Sequence, residues 1–240
     1  EGLTEFPSIV AGPVEEQIAE SIVDRMTNGA CIQLGVGGMP DAIGKLIAES
    51  ELKDLGIHTE LLVNAYLDMH KAGKITNLNK HDIMRGKSVF SIAHGTKELF
   101  DWVSDNPSMC CAPINYVNDL SVIGEIDNFV SINSCIAVDL FGQISAESAG
   151  TRHISGTGGQ LDFLTAGFKN PRAQSFIALP STYTDKKGNL HSNIKPTFTG
   201  GDIITDPRSQ AYTMVTEYGI ENLAGASVWE RAEKLISLAH

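Results

Sequence analysis

The sequence predicts an α/β protein with a mostly parallel sheet flanked by helices. Three observations predict it. Short apolar runs recur along the chain, each the length of one buried strand. Glycine-rich turns follow two of these runs, and amphipathic stretches at helical spacing come after the turns. Strand, glycine turn, helix, strand is the order of a βαβ unit, which places its strands side by side and parallel.

Residues 13–28 read as a helix. Pro13 suits the first position, Glu15 and Glu16 the positive end, and Gly29 the stop. Val14, Ile18, Ile22, Val23 and Met26 share one face. Residues 31–34 read as a buried strand running into the first glycine turn. Residues 40–50 form the next helix, with Ile43, Leu46 and Ile47 inward, and 57–63 the next strand. The alternation continues with a strand at 87–93 and a helix at 96–104. A long apolar strand follows at 129–140, with residues 144–149 as its antiparallel partner. Residues 160–168 read as a helix, 175–179 as a strand, and 185–189 as a hairpin turn from which 191–198 pairs back. A strand at 212–216 and an amphipathic helix at 227–238 close the chain. No repeat or linker divides it, so 1–240 is read as one domain.

Composition narrows the function. The net charge of −11 argues against nucleic acid as the main partner. Lys186, Lys187 and Arg152 read as solvated surface. The cysteines, Cys31, Cys110, Cys111 and Cys135, form no C-x-x-C pair, which disfavours zinc and fits a cytoplasmic protein. No apolar run reaches the ~18 residues of a membrane span. The start carries no signal-peptide pattern and no initiator Met, so the chain is expected to be processed or part of something longer.

The chemistry concentrates in three places. Gly35-Val36-Gly37-Gly38 opens a helix, as does Gly156-Thr157-Gly158-Gly159. Such turns can present backbone N–H groups to an anion or a developing oxyanion. The first fails the dinucleotide pattern, because Pro40 stands where glycine is required, and no phosphate-loop lysine follows it. Spacing alone leaves a tight corner and an anion site equally open. Glu60 lies inside an apolar run, where a carboxylate is costly unless used or paired. Period-2 counting puts His58, Glu60 and Leu62 on one side of their strand, and a Glu at a strand's carboxyl end lies near the crevice where parallel sheets bind ligands. An edge glutamate that is solvated or paired with lysine remains the alternative. Asp162 reads as complementing a helix end, and His58 as filling space. No H-E-x-x-H or G-x-S-x-G pattern occurs.

Taken in order, Leu34 to Pro40, His58-Thr59-Glu60, Ser131 to Ser134, Val138 to Gln143, Ser155 to Phe163 and Thr216 to Gly219 resemble the acetyl-CoA hydrolase/transferase family. The branch of butyryl-CoA:acetate and 4-hydroxybutyrate CoA-transferases is the nearest in pattern. The resemblance implies a CoA-transferase-like fold of the NagB/RpiA/CoA-transferase type. It also implies that 1–240 is the C-terminal catalytic domain of a longer enzyme whose N-terminal domain is absent from this chain. It makes Glu60 the nucleophile that forms a glutamyl-CoA thioester. Gly158 or Gly156 would supply the oxyanion donor. Gly35, Val36, Gly37, Gly38 and Met39 would line coenzyme A, and Cys135, Ile136 and Gly158 would touch it. The implied substrates are a short-chain acyl-CoA and a carboxylate. No metal is expected, and the implied assembly is a homo-oligomer or a complex with the N-terminal domain. Two departures stand out: Asn64-Ala65-Tyr66 follows the glutamate where relatives often carry Asp-Gly, and Ala137 stands where some relatives carry a polar or acidic residue.

Overall fold

A computed structural model describes residues 3–7, 10–167 and 169–240. Helix α1 (Pro13–Val23) buries Ile18, Ala19 and Ile22. It stops before the expected end at 28, because the following turn is drawn to the next loop. There the Gly29 N–H donates to Lys53 O and the Lys53 N–H to Asn28 Oδ1. Strand β1 (Cys31–Leu34) is buried throughout and runs into the first glycine turn. Helix α2 (Gly38–Glu49) leaves that turn, β2 (Gly56–Val63) follows, and α3 (Asn64–Lys71) starts directly at its end. Sequence reading had no helix at α3. Strand β3 (Ser88–His94), α4 (Lys97–Val103), β4 (Met109–Cys111) and the short helices α5 (Ile114–Val117) and α6 (Leu120–Gly124) complete the first half.

Strand β5 (Phe129–Ser134) corrects the expected run of 129–140. Its neighbour β1 ends at Leu34, opposite Ile132, so the chain loses that partner soon afterwards. It leaves the sheet at Cys135 and Ile136. Strand β6 (Ala137–Asp139) then pairs with β7 (Ile144–Ser145) in a separate small sheet. Strands β8 (Ser148–Ala149) and β9 (Arg152–His153) form a tight hairpin ahead of α7 (Gln160–Ala166). The expected helix end at Phe168 lies outside the described residues. Strand β10 (Gln174–Ala178) precedes a hairpin of β11 (Thr182–Thr184) with β12 (Leu190–Ser192). The pairing expected over 191–198 divides. Only Leu190–Ser192 joins the hairpin, and β13 (Ile194–Lys195) runs parallel to β6. Strands β14 (Thr213–Thr216) and β15 (Gly219–Asn222) and helix α8 (Val228–Ser237) end the chain.

The main sheet has eight strands in the order β15-β14-β10-β5-β1-β2-β3-β4. All its pairings are parallel except β14 with β15. The chain winds outward from β1 through β2, β3 and β4, then returns to β5 and winds the other way. The sheet's switch point therefore falls between β1 and β5, where ligands bind in open α/β sheets. Helices α1 to α3 cover one face over Ile32, Ile57 and Val130, with Ile43 of α2 packed onto them. Phe129, Phe163, Val117 and Ile123 fill the other.

Helices α2 and α3 approach closely at Gly44, where a Cβ would lie 2.3 Å from Ala65 Cβ and 3.1 Å from its Cα. Backbone is in the way, so neither helix can yield cheaply. Gly44→Ala is expected to cost about 1–3 kcal/mol, read as a lower midpoint in denaturant unfolding. An unchanged midpoint would refute this packing.

Candidate active site

A cavity of about 290 Å3 opens at the carboxyl ends of β1, β2 and β5. Its floor is polar. Ser131, Asn133 and Gln33 point to the same face of adjacent strands and close a ring of hydrogen bonds. Ser131 Oγ and Asn133 Nδ2 donate to Gln33 Oε1 at 2.8 and 3.0 Å, Asn133 Nδ2 also donates to Ser131 Oγ at 2.9 Å, and Gln33 Nε2 donates to Asn133 Oδ1 at 3.2 Å. All three residues are buried. The turn above them needs glycine twice. A Cβ on Gly35 would crowd Asn133 Oδ1 at 3.2 Å, and Gly37 has φ +119. Beneath the turn, the Leu34 N–H donates to Tyr66 Oη at 2.7 Å.

Glu60 sits near the end of β2, partly buried, on the wall between this cavity and a shallower one beside Asn115. Asn118 Nδ2 donates to its Oε2 at 2.9 Å. The second glycine turn presses against the same atom: a Cβ on Gly159 would lie 2.1 Å from Glu60 Oε2 and 2.2 Å from Asn118 Nδ2. Gly158 takes φ +60. The N–H groups of Gly156, Thr157, Gly158 and Gly159 donate to no acceptor among the described residues. The turn therefore offers uncommitted donors next to a fixed carboxylate. Such an arrangement suits charge that develops during acyl transfer. Burial pushes the Asp162 carboxyl above its usual range, Asn118 opposes this by a hydrogen bond, and Glu60's charge adds to it.

The residues proposed from sequence separate into two groups. Glu60, Gly156, Gly158, Gly35 and Val36 meet at the cavity. Gly37 faces a small recess beside Pro7 and His94 instead. Gly38 and Met39 form the first turn of α2, and Met39 packs into the core at 5% exposure. Met39, the second residue of α2, is turned toward the core and does not line the cavity. Cys135 and Ile136 lie outside it too. Their N–H groups bond Ala178 O and Ser145 O, the contacts that carry the chain out of the sheet. Leu62 joins the cluster under α1 to α3 rather than sharing the side of His58 and Glu60.

Sequence reasoning missed Asn118. It lies 58 residues beyond Glu60, and nothing in its neighbourhood marks it. It also read His58 as space-filling. The buried His58 ring bonds Val117 O through Nε2 at 2.8 Å, fixing the residue next to Asn118. Burial, helped by the charge on Lys80, holds the His58 ring down at about 4. A depressed histidine leaves the unfolded chain binding the proton first. Stability should therefore fall as pH drops through 6.5, by about 2 kcal/mol between pH 7 and 5. Denaturant unfolding at the two pH values measures this, and His58→Gln should flatten the difference.

Fold and site together define a doubly wound α/β protein with a carboxylate and an amide-lined cavity at its switch point. Comparison with known proteins narrows this class. Residues 95–240 match the family model described as the acetyl-CoA hydrolase/transferase C-terminal domain. The chain belongs to the acetyl-CoA hydrolase/transferase family. It is 53% identical over 230 residues to butyryl-CoA:acetate CoA-transferase of Anaerostipes caccae, covering 96% of this chain and 51% of that protein. It is also 53% identical over 240 residues to a probable butyrate:acetyl-CoA coenzyme A-transferase of Syntrophomonas wolfei, covering 100% of this chain and 53% of that one. The crystal structure of RipA from Yersinia pestis superposes with a TM-score of 0.91 at 38% identity, over 100% of this chain and 53% of RipA. The chain spans about half the length of the curated relatives it matches.

Proposed function

We propose that this chain is the C-terminal catalytic half of a CoA-transferase that moves CoA from a short-chain acyl-CoA, such as butyryl-CoA, to a carboxylate such as acetate. The observation that carries this reading is Glu60, held by Asn118 against a turn of uncommitted amide donors. The family membership and the names of the relatives support it.

The reaction runs by exchange at Glu60. Its carboxylate attacks the thioester carbonyl, the C–S bond breaks, and CoA thiolate leaves a mixed anhydride. The thiolate attacks the glutamyl carbonyl, expelling the first acid as its carboxylate and forming the glutamyl-CoA thioester. The acceptor carboxylate attacks that thioester, giving a second anhydride and thiolate again. Attack of the thiolate on the new acyl carbonyl yields acyl-CoA and restores Glu60. No proton is gained or lost, and no step calls on a metal. Each tetrahedral intermediate places negative charge on oxygen, where the Gly156 and Gly158 N–H groups would receive it. Gly35 and Val36 would line the CoA arm. The N-terminal half would complete the cleft and keep water out, and the enzyme would work in the cytoplasm as an oligomer.

Mass spectrometry after incubation of the complete protein with butyryl-CoA tests this. A CoA-sized adduct on the peptide carrying Glu60, exchanged away by acetate, is the expected result. No adduct would overturn the assignment. Release of free acid without an acceptor would mark a hydrolase instead.

A further inference from the structure

The second glycine turn is clamped at both ends, and one clamp has an unexplained feature. At its entry, the Glu147 carbonyl accepts the N–H groups of Ile154 and Ser155 at 2.7 and 3.2 Å. At its exit, Gln160 follows Gly159 directly and opens α7. Its Nε2 donates to Asp206 Oδ2 at 2.6 Å. Asp206 is in turn fastened to β7 through its own backbone: the Ile144 N–H donates to Asp206 O at 3.1 Å, and the Asp206 N–H to Ile144 O at 3.2 Å. Asp206 is fully buried, yet its Oδ1 has no hydrogen-bond partner among the described residues. Burial pushes its carboxyl up to about 6; the Gln160 bond opposes this, and the charge of Glu147 adds to it. No cation among the described residues is paired with it.

A buried acceptor without a donor costs folding free energy. An apolar residue at 206 would avoid that cost, so stability alone gives no reason for an acid here. The remaining feature of Asp206 is its hold on Gln160. The turn between the clamps carries the uncommitted donors beside Glu60, and donors of this kind act only when held in place beforehand.

We propose that Asp206 is a positioning residue that, acting through Gln160, fixes the Gly156 to Gly159 amide donors relative to Glu60. This rests on the reading of Glu60 given above. In Asp206→Asn a carbonyl oxygen remains to accept from Gln160; in Asp206→Ala nothing does.

The test measures the rate of the Glu60–CoA adduct in the complete protein, with CoA affinity by calorimetry and the melting temperature alongside. Asp206→Ala should slow adduct formation about 10- to 10²-fold. Its CoA affinity should stay within about 3-fold of the parent, and its melting temperature should still show a cooperatively folded protein at the assay temperature. Asp206→Asn should restore the rate to within about 3-fold. Gln160→Ala should slow the reaction similarly, and the double variant Asp206→Ala, Gln160→Ala should be no slower than either single one. An Asp206→Ala rate equal to the parent's overturns the proposal and leaves the assignment of Glu60 intact. Equal slowing in Asp206→Asn and Asp206→Ala also overturns it. A parent protein that never forms the adduct removes the reading of Glu60 and this inference with it.

Discussion

Glu60→Gln is expected to lower CoA transfer by more than about 10³-fold while leaving the fold in place. Gln fits the same volume and can still meet Asn118 after an amide flip. What it removes is the anionic oxygen that opens the thioester. The residue lies partly exposed at the end of β2, outside the hydrophobic clusters, so its replacement should not unfold the protein. Steady-state transfer from butyryl-CoA to acetate measures the effect. CoA affinity should change little, because Gln fills the same place in the cavity wall as Glu60. Turnover within tenfold of the parent would exclude Glu60 as the nucleophile.

Gly159→Ala is expected to cost about 10²-fold in turnover with little change in stability. The added methyl would lie 2.1 Å from Glu60 Oε2 and 2.2 Å from Asn118 Nδ2. Both atoms end flexible side chains, so they can move aside. The backbone at Gly159, φ −96 and ψ 10, suits alanine without strain. The methyl therefore displaces the carboxylate instead of breaking the fold. A nucleophile moved by about 1 Å loses on that order of rate. Unfolding midpoints within about 1 kcal/mol of the parent, together with the lost turnover, would separate displacement from collapse. Full activity in this variant would show that the close approach has no catalytic role.

The two largest effects fall on residues of different legibility. Glu60 stood out in the sequence because a lone acid in an apolar strand is conspicuous. Gly159 was visible as part of a glycine run, but the reason for it was not: it accommodates a carboxylate from a strand about a hundred residues earlier. The parallel sheet was legible for a simple reason. Strands β1, β2 and β10 are short apolar runs, and the winding follows from their order. The bend at Cys135 was not legible. The apolar pattern continues unbroken from Phe129 to Leu140, and only the end of β1 beside it decides where the strand leaves the sheet. Met39 failed for a related reason: a glycine turn predicts a corner, but the phase of the helix after it fixes which side chain turns inward. Asn118 and Asp206 carry no local mark. Each gains its place only when distant loops are brought together by the fold.

The closed ring of Gln33, Ser131 and Asn133 has a consequence for what can occupy the bottom of the cavity. Within the ring, each amide hydrogen of Asn133, the Ser131 hydroxyl hydrogen and one hydrogen of the Gln33 amide are already engaged. The second Gln33 amide hydrogen is left over. One lone pair on Asn133 Oδ1 and one on Ser131 Oγ are left over as well, so the ring retains both a donor and acceptors. A guest that both offers and takes a hydrogen therefore matches this seat better than one that can do only one of the two.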